Sequence, residues 1–441
     1  MSEFEIENDV LLKCNSEKER IVVPDGVKEI GQFVFCQSKA KEIVLPEGVE
    51  IIGKSAFNGV MNLEKIVLPN SLKCIEENAF SFCCNIKEII IPKGVLNIGN
   101  FAFACCTELK YLILQKSVEN IGHSLFYGCK KLALDIDKGN KNYEIKNDML
   151  IDIKKGRLIH YFGDKESIKI ENVKEICKNA FLVNKKSENI KTIIIEKGCE
   201  SIGGSAFQNL INLTKIELPD TLKTLEENVF SGCENLKEIL LPKNVEHIAS
   251  STFYGILKVR NKCGKIFNIH GNIYYKNTFR TKIKIDNENP NYEINGYYLV
   301  DKRNNCIVSY FGNEKNIYID NFERIGKRAF AGCNAKSVVL KGVKVVGEKA
   351  FMNCHELEYF DFGADIEQIH NYLFYFCKKL QVIVLGNKLK VVAEKAFKNS
   401  SSILKEIVYD GTQREFKEIK SWESLIQNGC KIEYLKECNC D

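Results

Sequence analysis

The chain has 441 residues, 27% charged and 45% hydrophobic, with a formal net charge of +5. Lys and Glu alternate in stretches such as "LKEII" and "LEKIV", the pattern of a solvated face, which argues against a basic nucleic-acid-binding patch. No apolar run reaches the roughly 18 residues of a membrane-spanning helix. The opening "MSEFEIENDVLLKC" also lacks the basic and apolar regions of a signal peptide, so a cytoplasmic chain is expected, with the cell surface by an unrecognised export route as the alternative.

In chain order, the first 34 residues are expected to form an N-terminal cap hairpin and the start of a repeat. A periodic phenylalanine then sets the frame. Phe35, Phe57, Phe80, Phe103 and Phe126 form one group; Phe181, Phe207, Phe230 and Phe253 a second; Phe330, Phe351, Phe374 and Phe397 a third. Within the groups, seven of the ten steps are 23 residues. A fixed period of about 20 to 50 residues marks a solenoid, whose units are each too short to bury an apolar face alone and so stack on their neighbours.

The cleanest unit runs from Ile86 to Glu108, with Ile86, Ile89, Ile91, Pro92, Val95, Ile98, Gly99, Ala102, Phe103 and Cys106 in fixed places. Ile89 and Ile91 point to one side of a strand. Pro24, Pro46, Pro69, Pro92, Pro219 and Pro242 follow the last inward residue of such strands and end them, because proline has no N–H for the ladder. Beyond the strand, apolar residues recur at steps of about three and four, which predicts a short helical or 3₁₀ turn. Gly31, Gly53, Gly99, Gly122, Gly203, Gly326 and Gly347 are predicted to mark a tight backbone bend.

One strand plus one helical turn at this length is a leucine-rich repeat. The predicted fold is an α/β repeat solenoid: a leucine-rich repeat array with a curved parallel β-sheet, short helical turns on the convex side and β-hairpin insertions. The strings "IVLPEGVEIIGKSAFNGV", "IIIPKGVLNIGNFAFACC" and "IELPDTLKTLEENVFSGC" resemble the BspA-type leucine-rich repeat family over nearly the whole chain. That resemblance implies a surface-associated adhesin of a host-associated microbe, binding host protein or glycan.

Repeats are expected over 35–132, 177–257 and 326–402, interrupted by β-hairpin insertions at 133–176 and 258–325. The insertions are copies of each other: "NYEIKNDMLIDIKKGRLIHYFG" from Asn142 and "NYEINGYYLVDKRNNCIVSYFG" from Asn291. "FEIENDVLLK" from Phe4 reads as a shortened third copy, and "FNIHGNIYYK" from Phe267 as a degenerate fourth. Residues 403–441 are expected to form a C-terminal cap, with Phe416, Ile419, Trp422, Leu425 and Ile426 on one helical face and Gly429 as the helix stop.

Candidate chemistry is sparse. Of 19 cysteines, Cys83, Cys106, Cys129, Cys233, Cys333, Cys354 and Cys377 each lie three residues after a repeat phenylalanine. Val60, Leu210, Ile256, Asn184, Ser38 or Ser400 fill that slot elsewhere, so it reads as a small core position occupied by reduced thiols. Cys438 and Cys440 with Cys430 lack further ligands at metal spacing. The six histidines stand singly, and no phosphate loop or nucleophile motif is present. No catalytic residue, cofactor or metal is expected.

One column remains. Between the two inward strand residues a single side chain faces away from the core: Val44, Val67, Ile90, Ile113, Ile194, Glu217, Leu240, Val339, Asp361, Val384 and Val408. Nine of these eleven are aliphatic. Beside it runs a mixed column that includes Tyr111 and Tyr359. β-Branched residues suit any strand, but an exposed apolar stripe also marks contact surfaces. Val67, Ile90, Ile113, Tyr111, Ile194, Leu240, Val339, Tyr359 and Val384 are therefore candidate partner-binding residues. The expected function is a non-enzymatic scaffold for a protein partner, with self-association or a purely structural, self-assembling array as the alternative.

Overall fold

One repeat of the sequence is one three-sided coil in the computed structural model of the protein. The coil that begins at Glu42 shows how. Glu42–Val44 is a strand in parallel register with Lys65–Val67, Ile43 lying opposite Ile66. Ile43 and Leu45 turn inward and Val44 outward, as strand geometry dictates. Pro46 follows the strand. A two-residue strand, Ile51–Ile52, then pairs with Cys74–Ile75 of the next coil. Tight turns from Lys54 to Gly59 close the third side. Ile43, Leu45, Val49, Ile52, Ala56, Phe57, Val60 and Leu63 all fill the interior.

The third side corrects the sequence reading, which expected a helical turn. Left-handed residues stand two before and two after the repeat phenylalanines of these coils: Ser55 and Gly59 around Phe57, Asn78 and Phe82 around Phe80, Phe101 and Cys105 around Phe103. A right-handed helix cannot pass through such residues. The backbone N–H groups of Ser55, Phe57 and Gly59 instead donate to the Glu77, Ala79 and Ser81 carbonyls of the next coil at 2.9, 2.8 and 2.8 Å. Apolar steps of three and four fit a succession of tight turns as well as a helix, and the spacing alone did not separate them. The fold is thus a β-solenoid of stacked coils, not an α/β array.

The glycines also have a different reason. A Cβ on Gly99 would lie 2.5 Å from the Glu77 nitrogen, and one on Gly53 2.7 Å from the Ile30 carbonyl oxygen. Close approach of neighbouring coils, rather than a bend, favours glycine there.

The structure describes residues 2–182, 189–249, 251–255, 267–269, 272–274, 281–400, 404–426 and 430–436, and the chain forms two units, Met1–Asn212 and Leu213–Asp441. In the first unit, Phe35, Phe57, Phe80, Phe103 and Phe126 stack nearly parallel, with centroid steps of 5.0, 5.0, 5.6 and 6.2 Å. In the second, Phe330, Phe351, Phe374 and Phe397 also stack, at 4.9, 6.3 and 5.2 Å, with their planes tilted by 20, 28 and 29°.

Each long insertion is three antiparallel strands. In the first unit these are Tyr143–Lys146, Met149–Asp152 and Arg157–Tyr161, and the third pairs in parallel with Glu175–Ile176 of the next coil. Tyr161 takes the place of a repeat phenylalanine: its ring stacks on Phe181 at 5.0 Å and its N–H donates to the Ala180 carbonyl. Tyr310 does the same with Phe330 and Ala329 in the second unit. At the N-terminus, Phe4–Glu7 and Val10–Cys14 pair around left-handed Asn8 and Asp9, matching Asn147 and Asp148 of the first insertion. Phe267–Ile269 and Asn272–Tyr274 form a further short hairpin.

The only α-helix among the described residues is Gln413–Glu418, closed at its N-terminus by a capping box of Thr412 and Glu415. It buries Phe416 against Tyr409, Trp422 and Tyr434. The single helical face expected from Phe416 to Ile426 is broken. Left-handed Ser421 separates the helix from a 3₁₀ turn at Trp422–Leu425, and Phe416, Ile419 and Leu425 are nonetheless buried. Gly429 lies outside the described residues. A last strand, Lys431–Tyr434, pairs in parallel with Glu406–Tyr409.

Candidate functional site: the strand face

The outward strand residues form the candidate surface. In the first unit Val22, Val44 and Val67 lie in direct register on adjacent strands. Ile90 and Ile113 continue the column on the next two coils, where Glu88 bridges to Tyr111. Ile90 is 71% exposed, Val67 51% and Tyr111 42%, while Val44 and Ile113 are half-buried. Asp135, paired with Ile113, ends the column.

The neighbouring column supplies a balanced polar edge. Arg20, Glu42 and Lys65 are in register, and both cations reach the Glu42 carboxylate at 3.1 Å. Hydrogen bonding from Lys65, assisted by the Arg20 guanidinium, holds that carboxyl below the usual carboxylate range. The apolar column is therefore bordered by paired charges.

Not every predicted residue joins it. Ile194 is half-buried and pairs with Lys169; Leu240 is 51% exposed but pairs with Lys284. In the second unit Tyr318, Val339, Asp361, Val384 and Val408 are in register, with Asp361 interrupting the aliphatic run. Val339, Tyr359 and Val384 are half-buried there. Sequence reasoning missed Val22 and Tyr318. Val22 precedes Val23 and Pro24 as Val44 precedes Leu45 and Pro46, a signal that was available; Tyr318 has Asp320 in the proline place and offers none.

The cysteine slot proves to be a hydrogen-bonding position. The Cys83, Cys106 and Cys129 thiols donate to the Phe57, Phe80 and Phe103 carbonyls at 3.2, 3.1 and 3.0 Å. Burial pushes the Cys129 thiol up to about 12 and raises those of Cys83 and Cys106. Thiolate chemistry is accordingly suppressed. Cys333 and Cys354 lie with their sulfurs 3.3 Å apart. Among the described residues no three His, Cys, Asp or Glu side chains converge as a metal site. Cys438, Cys440, His270, Asn184 and Ile256 lie outside the described residues. No helix among the described residues is long and apolar enough to cross a membrane.

Residues 5–133, 160–289 and 307–422 match the BspA type leucine rich repeat region in six copies. This chain belongs to the BspA-type leucine-rich repeat family. Among solved structures, this family member is similar to a leucine rich cell surface protein of Faecalibacterium prausnitzii, at 20% identity over 98% of this chain and 93% of that one, with a TM-score of 0.44. It is also similar to the pneumococcal vaccine antigen PcpA, at 18% identity over 98% and 96% of the two chains, TM-score 0.44. A Bacteroides ovatus leucine-rich repeat protein shares 21% identity over 97% and 94%, TM-score 0.35. No match is found among curated proteins.

Proposed function

We propose that this BspA-type repeat protein is a non-enzymatic scaffold that binds a protein partner through the strand face of its N-terminal unit. The observation that carries the reading is the exposed column Val22, Val44, Val67, Ile90 and Ile113, flanked by Tyr111 and edged by the Arg20–Glu42–Lys65 ion pairs. An apolar centre, an aromatic and a polar rim are the parts of a protein interface. A solvated strand face would not hold Ile90 so far exposed between aliphatic neighbours.

The same reading favours a reducing compartment. Cys83, Cys106 and Cys129 act as hydrogen-bond donors, and a disulfide sulfur has no hydrogen to donate.

The test is the double variant Ile90→Lys, Ile113→Lys. Both side chains leave the core untouched, so the circular dichroism spectrum and melting temperature should stay nearly unchanged. Proteins that co-purify with the wild type from its own cell should be absent from the variant. Retention of the same partners would reduce the column to strand propensity. Sedimentation of wild type and variant shows whether the partner is a second copy.

A further inference from the structure

The two insertions share a backbone but present different chemistry. In the second, Tyr292–Asn295 pairs antiparallel with Tyr298–Asp301, setting Glu293 opposite Val300 and Asn295 opposite Tyr298. Directly opposed residues share one face of a sheet. Asp320, Asn321 and Phe322 line a cavity of 480 Å³ with that face. The bond from Asn305 Nδ2 to the Asn321 carbonyl, at 2.9 Å, fixes the loop against the insertion. Val300, Phe322 and the Tyr298 ring give the cavity apolar walls, the two rings edge to face at 5.4 Å. Glu293, Asn295, Asp320 and Asn321, all solvent-exposed, supply the rim, and Lys302 also lines the cavity with its ammonium held by the Asn289 carbonyl at 3.0 Å. Among the described residues, none of those four side chains has a hydrogen bond or ion pair.

The first insertion carries lysines at the matching positions. Lys146 stands opposite Met149 where the second has Asn295 and Tyr298. Its loop carboxylate, Glu171, is ion-paired to Lys169 at 2.7 Å and feels the Lys146 charge as well. Tyr318 replaces Lys169 in the equivalent strand of the second copy, so Asp320 is left unpaired. Val173 is replaced by Phe322. Relative to the first copy, the second has lost these two lysines, gained the Tyr298 and Phe322 rings in the cavity lining, and acquired Lys302, whose ammonium donates to the Asn289 carbonyl, in place of Ile153.

We propose that this cavity binds a neutral carbohydrate, seating one sugar ring. An amide offers a donor and an acceptor together, as a hydroxyl does, and a carboxylate accepts from two hydroxyls at once. The aromatic and aliphatic walls suit the C–H face of a sugar ring, with Tyr298 presenting a polar tip beside an apolar body. An organic cation would use the carboxylates but leave the amide N–H groups of Asn295 and Asn321 unmatched. The volume lies in the range of small-molecule sites. This site is separate from the strand face of the first unit and does not depend on it.

Saturation-transfer NMR on the whole protein tests the proposal, with glucose, galactose, mannose, N-acetylglucosamine and N-acetylgalactosamine as probes and tetramethylammonium as the competing chemistry. Transfer to the ring C–H protons of at least one sugar is expected, and none to the cation. Two variants locate the site: Asp320→Ala, and the pair Asn295→Lys with Tyr318→Lys, which copies residues the first insertion already folds with. Each should weaken binding about tenfold or more, as loss of a charged hydrogen bond does, with an unchanged circular dichroism spectrum. Absence of transfer to every sugar, binding of the cation in their place, or equal binding by wild type and both variants would overturn the assignment.

Discussion

The Cys106 thiol donates to the Phe80 carbonyl 3.1 Å away, so each such cysteine ties its coil to the one before. Cys377 does the same to Phe351, and in the following coil the Ser400 hydroxyl donates to the Phe374 carbonyl. In these coils the slot holds a small donor, whereas Val60 and Leu210 fill it by volume alone. Cys106→Ser should therefore melt closer to the wild type than Cys106→Ala, which loses the bond and leaves a small void at a cost of about 1 kcal/mol. Equal losses in the two variants would show that only volume matters. Alkylation of the denatured chain, without reductant and shielded from air, should label all 19 cysteines.

Phe103 is fully buried between Phe80 and Phe126. Phe103→Ala should cost about 3 to 5 kcal/mol. Coupling in a solenoid runs mainly between neighbours, so hydrogen exchange should accelerate most in the coils of Phe80 and Phe126. Uniform acceleration through the first unit would contradict this.

Acid should weaken the first unit through His160. Its ring is buried against Phe162 and Phe126, and its Nδ1 has no hydrogen-bond partner. Burial lowers its pKa from 6.5 to about 4. Above the higher value the ring is neutral folded or unfolded, and its contribution does not change with pH. As the pH falls toward the lower value, only the unfolded chain takes up the proton, and stability drops by about 3 kcal/mol. The second insertion carries Ser309 at this place. Urea titrations across that window should show a shallower pH slope for His160→Ser; parallel slopes would remove His160 as the cause.

Gly99→Ala would put its Cβ against the Glu77 backbone nitrogen. One of the two coils must shift, and the expected loss is about 1 to 3 kcal/mol, as for other overpacked sites. An unchanged melting temperature would mean that the coil spacing adapts freely.

Stacking explains how much of this was legible in the sequence. Each coil must match the length of its neighbours, so Phe57, Phe80 and Phe103 keep step, and Pro46, Pro69 and Pro92 recur at the strand ends. The strand face was legible for the same reason: Val67 and Ile90 occupy fixed places between inward residues. The turn side was not read correctly, although a signal was present. Asn78, Asn209, Asn228 and Asn353, with Gly59, Gly128 and Gly232, occupy the left-handed places, the residues that tolerate that conformation best. Phe82 and Phe101 hold the same conformation without any such signal. The division of the outward column was hidden too, because Lys169 and Lys284 lie beside Ile194 and Leu240 only once strands from the insertion regions are paired.

The turn side has one more consequence. From Phe35 to Ala56, Phe57 to Ala79 and Phe80 to Ala102, every cross-coil N–H on this side points to the following coil. In the second unit, Phe330 to Ala350 and Phe374 to Ala396 point the same way. The peptide dipoles, about 3.5 D each, thus add within each row instead of cancelling. Each row on this side therefore has an electrical direction, its carbonyl end relatively negative and its N–H end relatively positive, while the Gly53, Gly99 and Gly122 N–H groups at another corner donate to the coil before and oppose it. Adding a coil extends that polarity, so the two ends of a row call for termini of opposite charge preference.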